Sequence, residues 1–303
     1  VLTESNTTHK SVPMLLSPVS AQNFDSIYYR KSIITAFKEA GFQTAFFSNQ
    51  RYNHSFIDFF GMEADTYDFI KEDSQDSQYN PSDDELLMLV EKELEKGNRK
   101  QFIVLHTYGS HFNYRERYPE TAAFFLPDFP VDAEVKYKDN LMNAYDNSIR
   151  YTDNFLARII HLLKQQQVDA SMLYTSDHGE DIFDDGRHLF LHASPVPSYY
   201  QLHVPLLLWT SDSYREEYPG IEKAASMNRQ KNISSSISFF QTMMELAGIE
   251  TPYRNDSLSV TSPLYTEKSR VYLNDHNEPH SLDDIGMRKE DFEMLKKRGI
   301  DAQ

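Results

Sequence analysis

The chain predicts an α/β fold with a mostly parallel central sheet sandwiched by helices. Three observations carry that expectation. Short apolar runs of strand length alternate with longer stretches of helical periodicity. The 303 residues are 40% hydrophobic, enough for a substantial core. Aromatic content of 13%, with 19 Tyr and 20 Phe, argues against disorder.

The elements follow in order. Residues 25–40 set Ile27, Ile33, Ile34 and Phe37 on one side of a helix that Gly41 ends. Residues 43–48 read as a strand. Pro81 and Ser82 open the next helix, with Ser82 and Glu85 in capping-box spacing, and it runs to about Glu95 before Gly97. Residues 102–107 form a short buried strand, and residues 132–166 a long helical region of one helix or two in series. Residues 171–175 are a strand, and residues 203–210 another, whose Pro205 marks an edge or a bulge. Residues 233–247 form an amphipathic helix ended by Gly248. Residues 269–273 are a late strand, and the tail from Asn274 is polar and expected to be peripheral. There is no repeat, low-complexity tract or clear linker, so one domain over residues 1–303 is expected.

Composition removes several function classes. A net charge of −16 argues against nucleic acid, because phosphate backbones need clustered Lys and Arg. The acidic stretch 63–85 reads as a solvated surface. With no Cys there are no disulfides, thiolate ligands or thiol nucleophiles. No run approaches 18 apolar residues, so no membrane span is expected within the sequence. It starts Val1-Leu2-Thr3-Glu4, with neither Met nor a signal peptide, and is expected to be a fragment or processed form.

The chemistry concentrates in a few blocks. Asp177-His178-Gly179-Glu180 follows the strand at 171–175. Side chains on a strand alternate faces, so Asp177 and His178 serve one centre only if the chain turns, which Gly179 permits. Adjacent Asp and His at the carboxyl end of a strand suit a divalent cation such as zinc. The blander alternative is a helix start with Asp177 capping. His106 and His111 stand at or just past the end of another strand, beside Gly109 and Ser110. His188 and His192 are four apart and would share a face if helical, but Gly186 and Pro195 bracket them. These blocks hold five of the 11 His, which favours a loop folding back over a metal. The hydroxyl-rich run Thr7-Thr8-His9-Lys10-Ser11 precedes an apolar stretch and reads as a helix start with Thr8 or Ser11 capping. Without Cys, a metal site draws its nucleophile from Ser, Thr, Asp or bound water. A helix N-terminus there adds positive charge for an attacked phosphate.

Taken together these blocks resemble the catalytic domain of the phosphoethanolamine transferases, of the alkaline phosphatase superfamily with its sulfatase-like fold. That family places its Thr nucleophile in Thr-x-x-Ser-Val-Pro, matched by Thr8 to Pro13, so Thr8 takes the role and Thr7 does not. Its Leu-His-Thr-x-Gly-Ser-His element matches Leu105 to His111, its Ser-Asp-His-Gly-Glu element Ser176 to Glu180, and its Leu-His Leu191 and His192. Phe42 to Gln50 also looks like a strand of that family. The four elements occur in the family's order, and the resemblance spans Thr8 to about Thr210.

By this resemblance Asp177, His178 and Thr8 bind one tightly held zinc. His111 and His192 bind the donor phosphate or a second zinc, and His106 is a proton donor. His188 has no clear counterpart and belongs to a local variant, and it joins His111 and His192 as a candidate for the donor phosphate or a second zinc. The implied reaction moves phosphoethanolamine from phosphatidylethanolamine to lipid A or another envelope glycan through a phosphothreonine. It would take place at the periplasmic face of the bacterial inner membrane, with membrane association through an N-terminal domain absent from this chain. Two departures stand out. The family's Glu ligand, in a Gly-Glu-Ser element before the nucleophile, has no match, since Glu4-Ser5 lacks the Gly and lies too close to Thr8; that element and the first strand are expected upstream. The disulfides familiar around the nucleophile are missing as well, which points to a divergent branch and leaves the acceptor open. The rival readings are a phosphodiesterase- or sulfatase-type hydrolase of the superfamily and a non-catalytic metal-binding domain. Ser11-Val12-Pro13-Met14-Leu15 breaks the sulfatases' Cys/Ser-x-Pro-Ser-Arg element.

Overall fold

The computed structural model describes residues 1–71, 80–97 and 100–302. Residues 72–79 of the acidic stretch lie outside the described residues. The chain divides into two compact units. One comprises Val1–Ala40, Val168–Asp181 and His192–Gln303; the other comprises Gly41–Gln167 and Ile182–Leu191.

The second unit holds the expected parallel sheet. Its strands run in the order Thr66–Phe69, Gln43–Ser48, Gln101–His106. Ala45 pairs with Thr66 on one side and Ile103 on the other, all parallel. Ala45, Phe46 and Phe47 are consecutive and all buried. Because neighbouring side chains point to opposite faces, both faces of this central strand are covered, as parallel sheets require. The Glu85–Leu94 helix buries Leu86, Leu87 and Val90 and packs on the strands. It starts without the expected capping box: the Ser82 hydroxyl accepts the Asp84 N–H at 3.3 Å. The region after 132 is one continuous helix, Lys138–Gln166, preceded by a single 3-10 turn.

The first unit pairs Ser171–Thr175 with Leu206–Thr210, and here the strands are antiparallel, with Leu173 opposite Leu208. The expected 25–40 helix is broken. A 3-10 segment, Ala21–Tyr29, is followed by an extended Arg30, and a new helix, Ile33–Glu39, starts where the Ser32 hydroxyl accepts the Ile34 N–H at 3.0 Å. Ser32 caps the second helix locally, which a reading of apolar spacing alone does not register. The Ser235–Leu246 helix stops two residues before Gly248, whose φ of 62° is the left-handed turn a glycine supplies.

The tail is not peripheral, contrary to expectation. Val271–Leu273 pairs with Pro279–Ser281, and the Lys289–Lys297 helix follows. Leu282, Met287 and Leu295 join Leu2, Tyr199, Leu202 and Tyr272 in one core cluster. The buried Asp291 carboxylate accepts the Tyr199 N–H at 2.9 Å. A few well-placed apolar residues fix this segment although most of its residues are polar.

Candidate active site

The first unit gathers four of the predicted site residues: Thr8, Asp177, His178 and His192. Thr8 is the first residue of the Thr8–Leu15 helix, and Thr7 occupies the cap position without a side-chain cap bond. Neither Thr8 nor Ser11 caps, contrary to that expectation. The Thr8 hydroxyl turns instead to His178 Nε2, 3.0 Å away. The Ser11 hydroxyl, one helical turn on, lies 2.9 Å from the Thr7 carbonyl and 3.2 Å from Asp177 Oδ2. Helical spacing thus aims two hydroxyls at the adjacent Asp and His.

The Asp-His pair leaves strand geometry just after Thr175. His178 is buried, and its Nδ1 lies 3.0 Å from the Gly179 carbonyl. A carbonyl only accepts, so Nδ1 carries a proton, and in the neutral ring Nε2 presents a lone pair. The hydroxyl of Thr8 therefore donates to Nε2. Gly179 is required here by crowding rather than by a left-handed turn. A Cβ at this position would collide with the Tyr200 carbonyl, and the Gly179 N–H donates to Gln201 O at 2.8 Å.

His192 completes the group. Its ring lies 4.0 Å from that of His178, tilted by 33°, and its Nδ1 lies 3.1 Å from Glu180 Oε1. Glu180 was not singled out in the sequence, although it closes the Asp-His-Gly-Glu motif. Positive φ values at His188, Leu191 and Ala193 rule out the shared helical face for His188 and His192. Beneath lies a buried network that no motif announces. Asn6 donates to Gln201 Oε1 at 2.6 Å and to Ser194 O at 2.9 Å, and accepts the Tyr272 hydroxyl at 2.7 Å. Gln201 donates to Asp181 Oδ2 at 2.7 Å, which also accepts Ser198 Oγ at 2.9 Å. These bonds tie the Thr8 arm to the segment that follows the Asp-His pair.

The donors fit a small divalent ion. Neighbouring corners of a zinc tetrahedron with bonds of about 2.0–2.1 Å stand about 3.3 Å apart. Thr8 Oγ1 to His178 Nε2 is 3.0 Å, and His178 Nε2 to Asp177 Oδ2 is 3.4 Å. No group of three or more His, Cys, Asp or Glu side chains able to hold a metal occurs among the described residues. The Thr8 hydroxyl stands beside this pair as a further oxygen donor. Glu4 is turned elsewhere: it is buried, and its Oε2 accepts the Ala21 N–H at 2.9 Å.

His106, His111 and His188 lie in the second unit. His106 ends its strand with Nδ1 3.0 Å from Ser48 Oγ on the neighbouring strand. The segment after it is clamped by Asp83, whose carboxylate accepts the Tyr108 N–H at 2.8 Å and the Gly109 N–H at 2.9 Å. His111 Nδ1 approaches the Phe112 carbonyl at 2.5 Å, which leaves Nε2 as the acceptor. Lys71 and Arg117 cover the Tyr108 ring at 3.4 Å and 4.3 Å. Burial, reinforced by the Arg117 charge, pushes the Lys71 amine down to about 8. His188 is exposed in a turn.

This fold, with a hydroxyl, a carboxylate and an imidazole meeting where a helix begins and a strand ends, defines an alkaline-phosphatase-type α/β domain. The chain belongs to the sulfatase family, whose model matches residues 1–249. Over 157 residues it is 36% identical to phosphoethanolamine transferase EptA of Escherichia coli K12, covering 50% of this chain and 28% of that protein. The chain spans less than half the length of the curated relatives it matches. The zinc complex of the C-terminal periplasmic domain of E. coli EptC superposes with a TM-score of 0.83 at 23% identity, covering 94% of this chain and 81% of that one. The integral membrane protein lipooligosaccharide phosphoethanolamine transferase A of Neisseria meningitidis superposes with a TM-score of 0.76 at 24% identity, covering 86% and 49%. No helix among the described residues is long and apolar enough to cross a membrane.

Proposed function

We propose that this chain is the catalytic part of a zinc-dependent phosphoethanolamine transferase. It takes phosphoethanolamine from phosphatidylethanolamine and passes it to lipid A or another envelope glycan through a phosphothreonine at Thr8. The observation that carries the reading is the Thr8 hydroxyl held 3.0 Å from His178 Nε2, beside Asp177. The likeness to EptA supports the group transferred, and the lipooligosaccharide named for the Neisseria protein supports an envelope glycolipid as acceptor. The site is assigned to the periplasmic face of the bacterial inner membrane, with attachment through a part of the protein outside these residues.

Asp177, His178 and Thr8 would hold the zinc, which acidifies a hydroxyl and offsets charge on phosphoryl oxygens when bound. Thr8 Oγ1 loses its proton to water and bonds to phosphorus. The bond from phosphorus to the diacylglycerol oxygen breaks, and that oxygen leaves with a proton from water. An acceptor oxygen then bonds to phosphorus, and Thr8 Oγ1 departs and regains a proton. The covalent stage divides one difficult displacement into two. Ser11 holds the Asp177 carboxylate, and the first turn of the Thr8 helix adds positive charge under the phosphate. Glu180 fixes the His192 ring, which binds the donor phosphate.

The test is the mass of the Thr8 peptide after incubation with phosphatidylethanolamine. A phosphoethanolamine adduct on Thr8, absent in Thr8→Ala, is expected. Turnover of donor lipid with full activity in Thr8→Ala, or net inversion at phosphorus, would reject the covalent route.

A further inference from the structure

In the second unit, residues 123–130 (Ala-Phe-Phe-Leu-Pro-Asp-Phe-Pro) invert the usual design of a surface loop. Phe124, Leu126 and Phe129 are 65%, 68% and 55% exposed, whereas the one charged residue, Asp128, is buried. Asp128 Oδ2 accepts the Tyr118 hydroxyl at 2.7 Å and lies 3.5 Å from Arg115 Nε.

The loop's backbone is satisfied from inside. Asn140, Asn143 and Asn147 stand on one face of the Lys138–Gln166 helix. Asn147 Oδ1 accepts the Phe124 and Phe125 N–H groups, each at 2.9 Å, and its amide donates to Phe125 O at 3.0 Å. Asn143 donates to Pro127 O at 3.0 Å, and Asn140 to Phe129 O at 2.5 Å. In water such groups need no protein partners. At a lipid interface each unmet one is costly. Beside the apolar tip, the Arg150 guanidinium lies 4.2 Å from the Phe124 ring centre, a cation placed to meet lipid phosphates. Of the exposed acids that follow, Asp132 and Glu134, the latter is paired with Lys136 at 2.9 Å.

We propose that residues 123–130 form a rigid wedge that seats in a phospholipid bilayer surface. The proposal takes from the transferase reading only that the protein works beside a membrane. A second copy of the chain fits less well, since three side chains on one loop fall far short of the about 800 Å² per partner of a stable interface.

The experiment uses vesicles of phosphatidylethanolamine and phosphatidylglycerol, sedimented with the protein. Trp209 is the sole tryptophan, so Phe124→Trp in a Trp209→Phe background reports on the loop alone. Wild-type protein should sediment with the vesicles, and the reporter should shift blue and be quenched by brominated lipid. The triple substitution Phe124→Ser, Leu126→Ser, Phe129→Ser should weaken vesicle binding by about tenfold or more. Its thermal unfolding and its turnover of a soluble phosphodiester should stay unchanged. Vesicle binding without any phosphodiester turnover would support the wedge while defeating the transferase reading. Wild-type protein left in the supernatant with an unshifted reporter would overturn the wedge. So would a dimerisation that the triple substitution abolishes, which would assign the patch to a second copy.

Discussion

Glu4 stands four residues before Thr8 and is 1% exposed. Its Oε2 accepts the Ala21 N–H at 2.9 Å, and its Oε1 meets no hydrogen-bond partner among the described residues. Burial raises its carboxyl from 4.5 to about 7, against the pull of the Ala21 N–H and the Arg270 charge. Between those two values the folded protein keeps a proton that the unfolded chain releases. The group therefore supports the fold at low pH, and its contribution is lost as pH rises through about 7. Each pH unit between the values is worth about 1.4 kcal/mol, so the loss from about pH 4 to about pH 8 is about 3 kcal/mol. Glu4→Gln keeps an oxygen for Ala21 and never ionises. Denaturant unfolding of both proteins across this range isolates the group, because every other titration is common to both. The stability of the wild type should fall by about 3 kcal/mol more than that of the variant, which should be the more stable protein at high pH. Parallel pH profiles would refute the assignment of a buried, neutral Glu4.

Three further outcomes follow from the site. Gly179→Ala drives a Cβ into the Tyr200 carbonyl and should cost about 3 kcal/mol or more in chemical unfolding; an unchanged midpoint would contradict the crowding. Asn6→Ala strips partners from Gln201 and the Tyr272 hydroxyl, and should cost about 2–4 kcal/mol because buried groups are left unmet. Its loss should appear in the unfolding midpoint as well as in activity. Glu180→Gln leaves the His192 ring without its carboxylate anchor; activity should drop by about tenfold or more at unchanged stability, and kinetics equal to wild type would remove Glu180 from the site.

The motifs were legible because each is local. The strand at residues 171–175, the turn that brings Asp177 and His178 together, and the helix opening at Thr8 all follow from short-range patterns. So does the parallel sheet, since Ala45, Phe46 and Phe47 read as an uninterrupted apolar run. Local patterns also misled. The stretch 25–40 has helical spacing, yet an extended Arg30 breaks it, and the polar-looking tail closes a core through Leu282, Met287 and Leu295.

What the sequence by itself determined is which residue types are available for the chemistry and where the chain can turn to present them. Tertiary structure alone decided their pairing. Asn6 meets Gln201 across 195 positions, and the Thr8 hydroxyl meets His178 across 170. The physical reason is the reach of the forces. Backbone sterics and side-chain periodicity act over a few residues and leave a trace in the sequence. A buried hydrogen bond selects its partner only by position and orientation in space, after the chain has folded.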